Sequence, residues 1–431
     1  LMQDGLGRLE LQQFARRLVD ENVVDAFCIN VGWHEAGVPQ ITTGVPRAAF
    51  TYLARELKQQ LDVPIIASHR INDTHVARDL ISSNVTDMVA MGRSLIADPY
   101  LPHKAQNKMD DQIVHCVACA QGCFDNLFRL KHVECLCNPR AGHELEISEE
   151  KTSSPQNVLV IGGGPSGMTA ALRASEKGHK VKLWEKSQCL GGQLFLAAAP
   201  PGREEFSELA NDLAQQVLNS QVEVHLNQEA TAQAVEKENP DQVILTTGAK
   251  PLTFDIPGID LPHVFQAWDV LLDKCYTGQN VAIIGGGAVG VETALQQAEK
   301  GTLSGDALKF LLVNRVEDCE HLRELSLKGT KNIVVLEMME KIGKDIGKST
   351  KWTMMQDLHR HGVKTKTKTK ALEITEQGVK VDREGEEEII PADSVIMAAG
   401  SQSYNPLQAE LQEKGFNCHV AGDANQIGLA Y

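Results

Sequence analysis

At 431 residues with a 42% hydrophobic content, the chain is too long for one ordinary core and has the composition of a globular protein. A formal net charge of -15 argues against a nucleic-acid partner, and no run is apolar enough for membrane insertion. Cys28, Cys189, Cys275, Cys319 and Cys418 are scattered singly, which fits a reducing, cytoplasmic setting.

The chain starts at Leu1 without an initiator and stops at Tyr431 inside an apolar run, so both ends read as cut. Leu9, Leu11, Phe14, Leu18 and Val19 recur at helical spacing over residues 7–21. A strand over 25–31 follows and ends in Gly32-Trp33-His34-Glu35. A helix over 47–61 leads to a strand over 63–67 that ends at Arg70. A helix over 72–82 then leads to a strand over 87–91 that ends in Gly92-Arg93. This alternation predicts a parallel α/β sheet, the last three strands of a (β/α) barrel with about five more before Leu1. His34, Arg70 and Arg93 fall just past the strand ends, on the rim where such barrels do chemistry. His34 is a candidate donor to a substrate carbonyl or part of a proton relay, or else a rim hydrogen-bonding histidine. Arg70 and Arg93 are candidate clamps for a cofactor phosphate, or else rim salt bridges.

Cys116, Cys119 and Cys123 come next, and Cys135 follows after eleven residues. Compact thiolate spacing of this kind suits an iron–sulfur cluster better than the paired knuckles of zinc. Zinc and unligated thiols are the alternatives, and Cys137 competes with Cys135 as the fourth ligand.

Residues 146–156 read as a linker. A strand over 157–161 runs into Gly162, Gly164 and Gly167, a helix reaches Lys177, and a strand over 180–184 ends at Glu185. The glycines let the backbone approach a pyrophosphate, and the acid stands where a ribose is gripped. Gly192 and Gln193 add a second tight turn. The pattern repeats with a strand over 280–284 and Gly285, Gly287 and Gly290, so one bound flavin and one exchangeable nicotinamide are expected. Gly248 and Gly400 each close a strand, and Asp423 after Gly422 is a candidate for flavin hydroxyls. Two strands compete for the second ribose acid: one over 308–313 ending near Arg315, the other over 332–336 ending at Glu337. Residues 306–327 also suit two short helices, and an insertion there leaves Glu337 in place and favours NADH over NADPH. The alternation over 364–370 reads as one edge strand with solvated lysines rather than a basic patch.

These residues together resemble bacterial 2,4-dienoyl-CoA reductase and its relatives, iron–sulfur flavoproteins joined to an Old Yellow Enzyme-like barrel. The specific pieces are Gly32-Trp33-His34-Glu35-Ala36, Val45-Pro46-Arg47, Arg70-Ile71-Asn72-Asp73, the cysteine loop and Asn138-Pro139-Arg140. The resemblance implies Cys135 as fourth ligand of a 4Fe-4S cluster, His34 beside an FMN, and Arg70 with Gly92 and Arg93 at the FMN phosphate. It implies an FMN-barrel portion over 1–108 and an iron–sulfur loop over 109–150. An FAD domain over 151–265 and 392–431 would enclose an NAD(P) domain over 266–391. Where the NADPH-using reductase is basic, this chain has Glu337 and Met338, closer to NADH-dependent enoate reductases. The implied activity passes electrons from NADH through FAD and the cluster to FMN, which reduces an unsaturated acyl-CoA or enoate. An electron-transfer module feeding a partner is the competing reading. An amine dehydrogenase fits less well, since trimethylamine dehydrogenase shortens the gap between second and third cysteines. Oligomeric state leaves no sequence signal.

Overall fold

A computed structural model describes residues 5–32, 36–148 and 150–428. The chain divides into two compact units. One takes the chain up to Lys151 and recruits Glu205–Gln221, and the other takes Thr152–Glu204 and Val222–Gly428.

In the first unit, strands Phe27–Cys28, Ile65–Ala67 and Met88–Val89 form a parallel sheet in chain order. Helices Arg8–Asp20, Thr51–Lys58 and Thr74–Ser82 alternate with them, as the sequence predicts. The strands are shorter than expected. Ile65 and Ala67 are buried in the middle of the sheet, whereas the outer strands have one neighbour each and Met88 is 44% exposed. Thr86, itself buried, ties the strand ends together: its hydroxyl donates to the Ile65 carbonyl and accepts from the Ala67 N–H. Asp73 caps helix Thr74–Ser82, accepting from the N–H groups of His75 and Val76.

In the second unit, one parallel sheet runs Cys418–Val420, Gln242–Leu245, Asn157–Ile161, Lys180–Trp184, Glu223–His225. A second runs Lys364–Lys366, Asn332–Leu336, Asn280–Ile284, Ser394–Met397, Val264–Gln266. Their central strands are apolar and buried on both faces; in the second sheet one face packs on helices and the other on Ile374, Val379, Val381 and Ile390 of an antiparallel meander. An antiparallel meander of Thr369–Thr375, Gly378–Arg383 and Glu386–Pro391 is inserted beside the second sheet.

Two boundaries differ from the sequence reading. Ser394–Met397 pairs with Asn280–Ile284 on one side and Val264–Gln266 on the other, so residues 392–397 and 264–265 join the second sheet. The cause is an internal repeat. Asp241 precedes the strand Gln242–Leu245 and accepts from Asn157 N–H at 2.7 Å; Asp393 precedes Ser394–Met397 and accepts from Asn280 N–H at 2.8 Å. The expected strand over 364–370 is instead two edge strands. Lys368, at φ 52°, turns the chain from the parallel sheet into the meander. Helices Gly305–Asn314 and Cys319–Leu327 occupy the stretch read as a two-helix insertion.

Candidate functional site: paired dinucleotide cradles and a cysteine pocket

The two glycine turns are built alike. Gly162 and Gly285 both have φ 110°. A Cβ would lie 2.4 Å from the Thr246 carbonyl at Gly162 and 2.5 Å from the Ala398 carbonyl at Gly285. At Gly167 and Gly290 a Cβ would fall 1.8 and 1.9 Å from the carbonyls of Gly162 and Gly285. Only glycine permits this closeness, and no side chain of these turns covers the N-termini of helices Pro165–Glu176 and Ala288–Ala298, where a phosphate would bind. Gly164 and Gly287 stand at the two N-caps. Gly167→Ala is therefore expected to destabilise the second unit by about 3 kcal/mol, read as a lowered urea midpoint, and to release bound flavin.

The acids repeat too. Glu185 is buried, accepts the Gly163 N–H at 2.6 Å and accepts the Ser187 N–H at 2.7 Å. Glu337 accepts the Gly286 N–H at 2.8 Å and the Met339 N–H at 2.7 Å. The strand Asn332–Leu336 thus presents the acid. Arg315 instead closes a helix with φ 53°. The Gly191 N–H donates to Gly163 and the Gly343 N–H to Gly286, so each glycine turn carries a second loop across it. In the first loop Gly192 has φ 54°, and a Cβ there would sit 2.9 Å from Gly164. Gln193 lies beside Gly248, whose φ is 76°. Gly422 packs on Ser166, and burial raises the carboxyl of Asp423 above its ordinary range. In the second loop stands Asp345, a residue the sequence reading missed. Its carboxylate accepts the Ala288 N–H at 2.9 and 3.0 Å, where a coenzyme phosphate is expected to bind. No motif marks it. Only the loop's return to the helix N-terminus does.

In the first unit, Cys116, Cys119, Cys123 and Cys135 line one small pocket together with Cys137, Arg93 and Gly122. All are free thiols. The loop that gathers them is irregular: Ala118 and Ala120 have φ 52° and 60°, and Gln121–Asp125 is a π-helical turn. Gly122 must be glycine, since a Cβ would lie 2.6 Å from the Glu134 carbonyl. Asn72 donates to the Cys116 carbonyl at 2.6 Å and ties the loop to the strand-end segment. Burial pushes the Cys119 thiol up to about 12 and raises Cys116 and Cys123. Cys135 falls to about 7 because the Cys137 thiol bonds to it. Arg93, which lines the pocket, favours the thiolates of Cys116, Cys123 and Cys135 and lies 5.7 Å from the Phe124 ring centroid. The donor set fits a thiolate-held cluster.

Arg70 is almost fully buried. Its Nε donates to the Val45 carbonyl at 2.7 Å and its Nη2 to Glu205 at 2.5 Å. Glu205 opens helix Glu205–Leu218 and is also paired with Arg47 and Asn72. The rim arginine thus has the ion-pair partner of the plainer sequence reading. Yet Nη1 of Arg70 and Nη1 of Arg93 are buried without a hydrogen-bond partner, which leaves donors for an anion such as a flavin phosphate. Gly92 caps the short helix Arg93–Ala97, and a Cβ there would meet nothing within 4 Å. His34 lies outside the described residues. Glu205→Ala is expected to cost about 3 kcal/mol by stranding the Arg70 charge, seen as an earlier unfolding transition of the first unit.

Residues 156–425 match the family described as pyridine nucleotide-disulphide oxidoreductase. The chain belongs to that family. Residues 3–112 also match the NADH:flavin oxidoreductase / NADH oxidase family. The chain is 45% identical over 419 residues to the metal reductase of Desulforamulus reducens, covering 96% of itself and 63% of that protein. It is 32% identical to the cinnamate reductase of Clostridium sporogenes, covering 86% of itself and 52% of that protein. A solved 2-naphthoyl-CoA reductase complex superimposes with a TM-score of 0.89 at 29% identity, over 100% of this chain and 62% of that one. The chain therefore spans between about half and two thirds of the length of these three relatives. Its domains are those of flavin- and nicotinamide-dependent oxidoreductases, and among the described residues no helix is long and apolar enough to cross a membrane.

Proposed function

We propose that the chain belongs to an NADH-dependent iron–sulfur flavoprotein that reduces the activated C=C bond of an enoate or unsaturated acyl-CoA. The observation that carries the reading is the convergence of free thiols on one cavity in the unit that also holds the rim arginines. The names of the cinnamate and 2-naphthoyl-CoA reductases support the substrate class. When bound, FAD supplies hydride acceptance, a 4Fe-4S cluster single-electron transfer, and FMN hydride donation. The chain's own residues bind and orient. The glycine turns receive two pyrophosphates, Glu185 grips the flavin ribose, and Glu337 grips the nicotinamide ribose and repels a 2′-phosphate. Cys116, Cys119, Cys123 and Cys135 hold the cluster, and Arg70 and Arg93 meet the FMN phosphate. His34 donates to the substrate carbonyl. The setting is a reducing cytoplasm and the partner a small molecule.

The 45% identity to a metal reductase favours a second reading, in which NADH oxidation feeds an external acceptor through the cysteine centre. Anaerobic steady-state assays separate the two. Turnover of a cinnamate or enoyl-CoA with NADH supports the first. Turnover of ferric chelates alone sinks it.

A further inference from the structure

The loop that delivers Cys135 carries a second set of donors. His132, Glu134 and His143 each offer one ligand atom, and the three atoms lie within 4.8 Å of one another. His132 Nε2 is 3.1 Å and His143 Nε2 is 3.5 Å from Glu134 Oε1. The two imidazoles meet edge to face, with centroids 5.1 Å apart. Both outer contacts needed to aim such ligands are present. Asn126, itself buried, donates to Glu134 Oε2 at 2.9 Å and leaves Oε1 facing the two rings. Glu146 Oε2 lies 2.8 Å from His143 Nδ1 and accepts from it, so Nε2, which faces Glu134, is the nitrogen left to ligate a cation between them. A glycine makes the approach possible. Gly142 has φ 85°, and a Cβ there would lie 2.3 Å from the Val133 carbonyl and 3.1 Å from the His132 ring.

We propose that His132, Glu134 and His143 form a binding site for a divalent d-block cation of the zinc class, with Asn126 and Glu146 as positioning residues. Two imidazoles and one carboxylate are a zinc donor set, and the partial exposure of all three side chains leaves a further position open to water. The site needs no cysteine, so it stands whether or not the thiols hold iron. Its cation would pin residues 132–143, the stretch that supplies Cys135. Without a cation the same residues are surface ion pairs, which fix little.

The test uses the anaerobically prepared, cofactor-loaded protein, given one equivalent of zinc chloride and desalted. About one zinc per chain is expected to remain. Its X-ray absorption should show only nitrogen and oxygen neighbours at about 2.0–2.1 Å, with no sulfur at about 2.3 Å. His143→Gln should abolish retention. Glu146→Gln, at an exposed position that cannot disturb packing, should weaken zinc affinity about 10-fold or more by titration calorimetry while the iron content stays unchanged. Failure to retain zinc overturns the proposal. So does a sulfur-containing shell, which would put the metal on the cysteines, or retention indifferent to both substitutions.

Discussion

Serine in place of Cys119 is expected to empty the cysteine pocket. Protein prepared without oxygen should contain about four irons and a matching amount of acid-labile sulfide per chain, and Cys119→Ser should lose nearly all of both. Buried in the pocket, this thiol is pushed up to about 12, so it stays protonated unless a metal displaces the proton. A serine hydroxyl is harder still to ionise and offers a hard oxygen to a soft site. Cys137→Ser decides the fourth ligand. If Cys135 binds iron, the Cys137 thiol only donates to it, and the substitution should leave the iron in place while altering the cluster's potential. If Cys137 is the ligand, iron falls as it does for Cys119. Cys189 and Cys319 are exposed and far in sequence from the loop, so their serine variants serve as controls. Zinc at these thiols in the anaerobic protein would remove the iron–sulfur reading.

What the sequence revealed follows from what constrains residue identity. The glycine turns were legible because backbone packed against backbone admits no side chain at Gly167 or Gly290, so the requirement is written in the residues themselves. The competition between Arg315 and Glu337 was legible for a similar reason. Apolar spacing marks residues 306–327 as helical, and the structure agrees. Other features depend on where the chain returns. Helix Glu205–Leu218 shows an apolar face bearing Phe206, Leu209 and Leu213, but nothing in that pattern says which core it covers. Its grouping with the first unit, through Glu205 on Arg70, emerges only in three dimensions. Asp345 is similar, an exposed acid in a loop until it meets the Ala288 N–H. The membership of Ser394–Met397 in the second sheet was within reach, because Asp393 repeats the capping role of Asp241, but strand order was needed to see the correspondence.

Coenzyme choice should turn on Glu337. A carboxylate that accepts two backbone N–H groups is fixed in place, and it fixes negative charge where a ribose 2′-substituent binds. Met338 and Met339, both exposed, offer no cation to a 2′-phosphate. Rates of flavin reduction should therefore favour NADH over NADPH in the native protein, and the preference should shrink with added salt as the repulsion is screened. Glu337→Gln is expected to lower the ratio of kcat/KM for NADH over NADPH by about 10- to 100-fold, roughly 1.4 to 2.7 kcal/mol. Part of the loss will be general, because a glutamine keeps one acceptor, now neutral, for the two backbone N–H groups and turns its NH2 toward the other. Asp345→Asn provides the contrast. Its carboxylate competes with a coenzyme phosphate common to both nucleotides, so the substitution should lower KM for both and leave their ratio unchanged. A native protein reduced equally well by either coenzyme would remove Glu337 from the role. A ratio that moved with Asp345 but not with Glu337 would transfer that role to the loop.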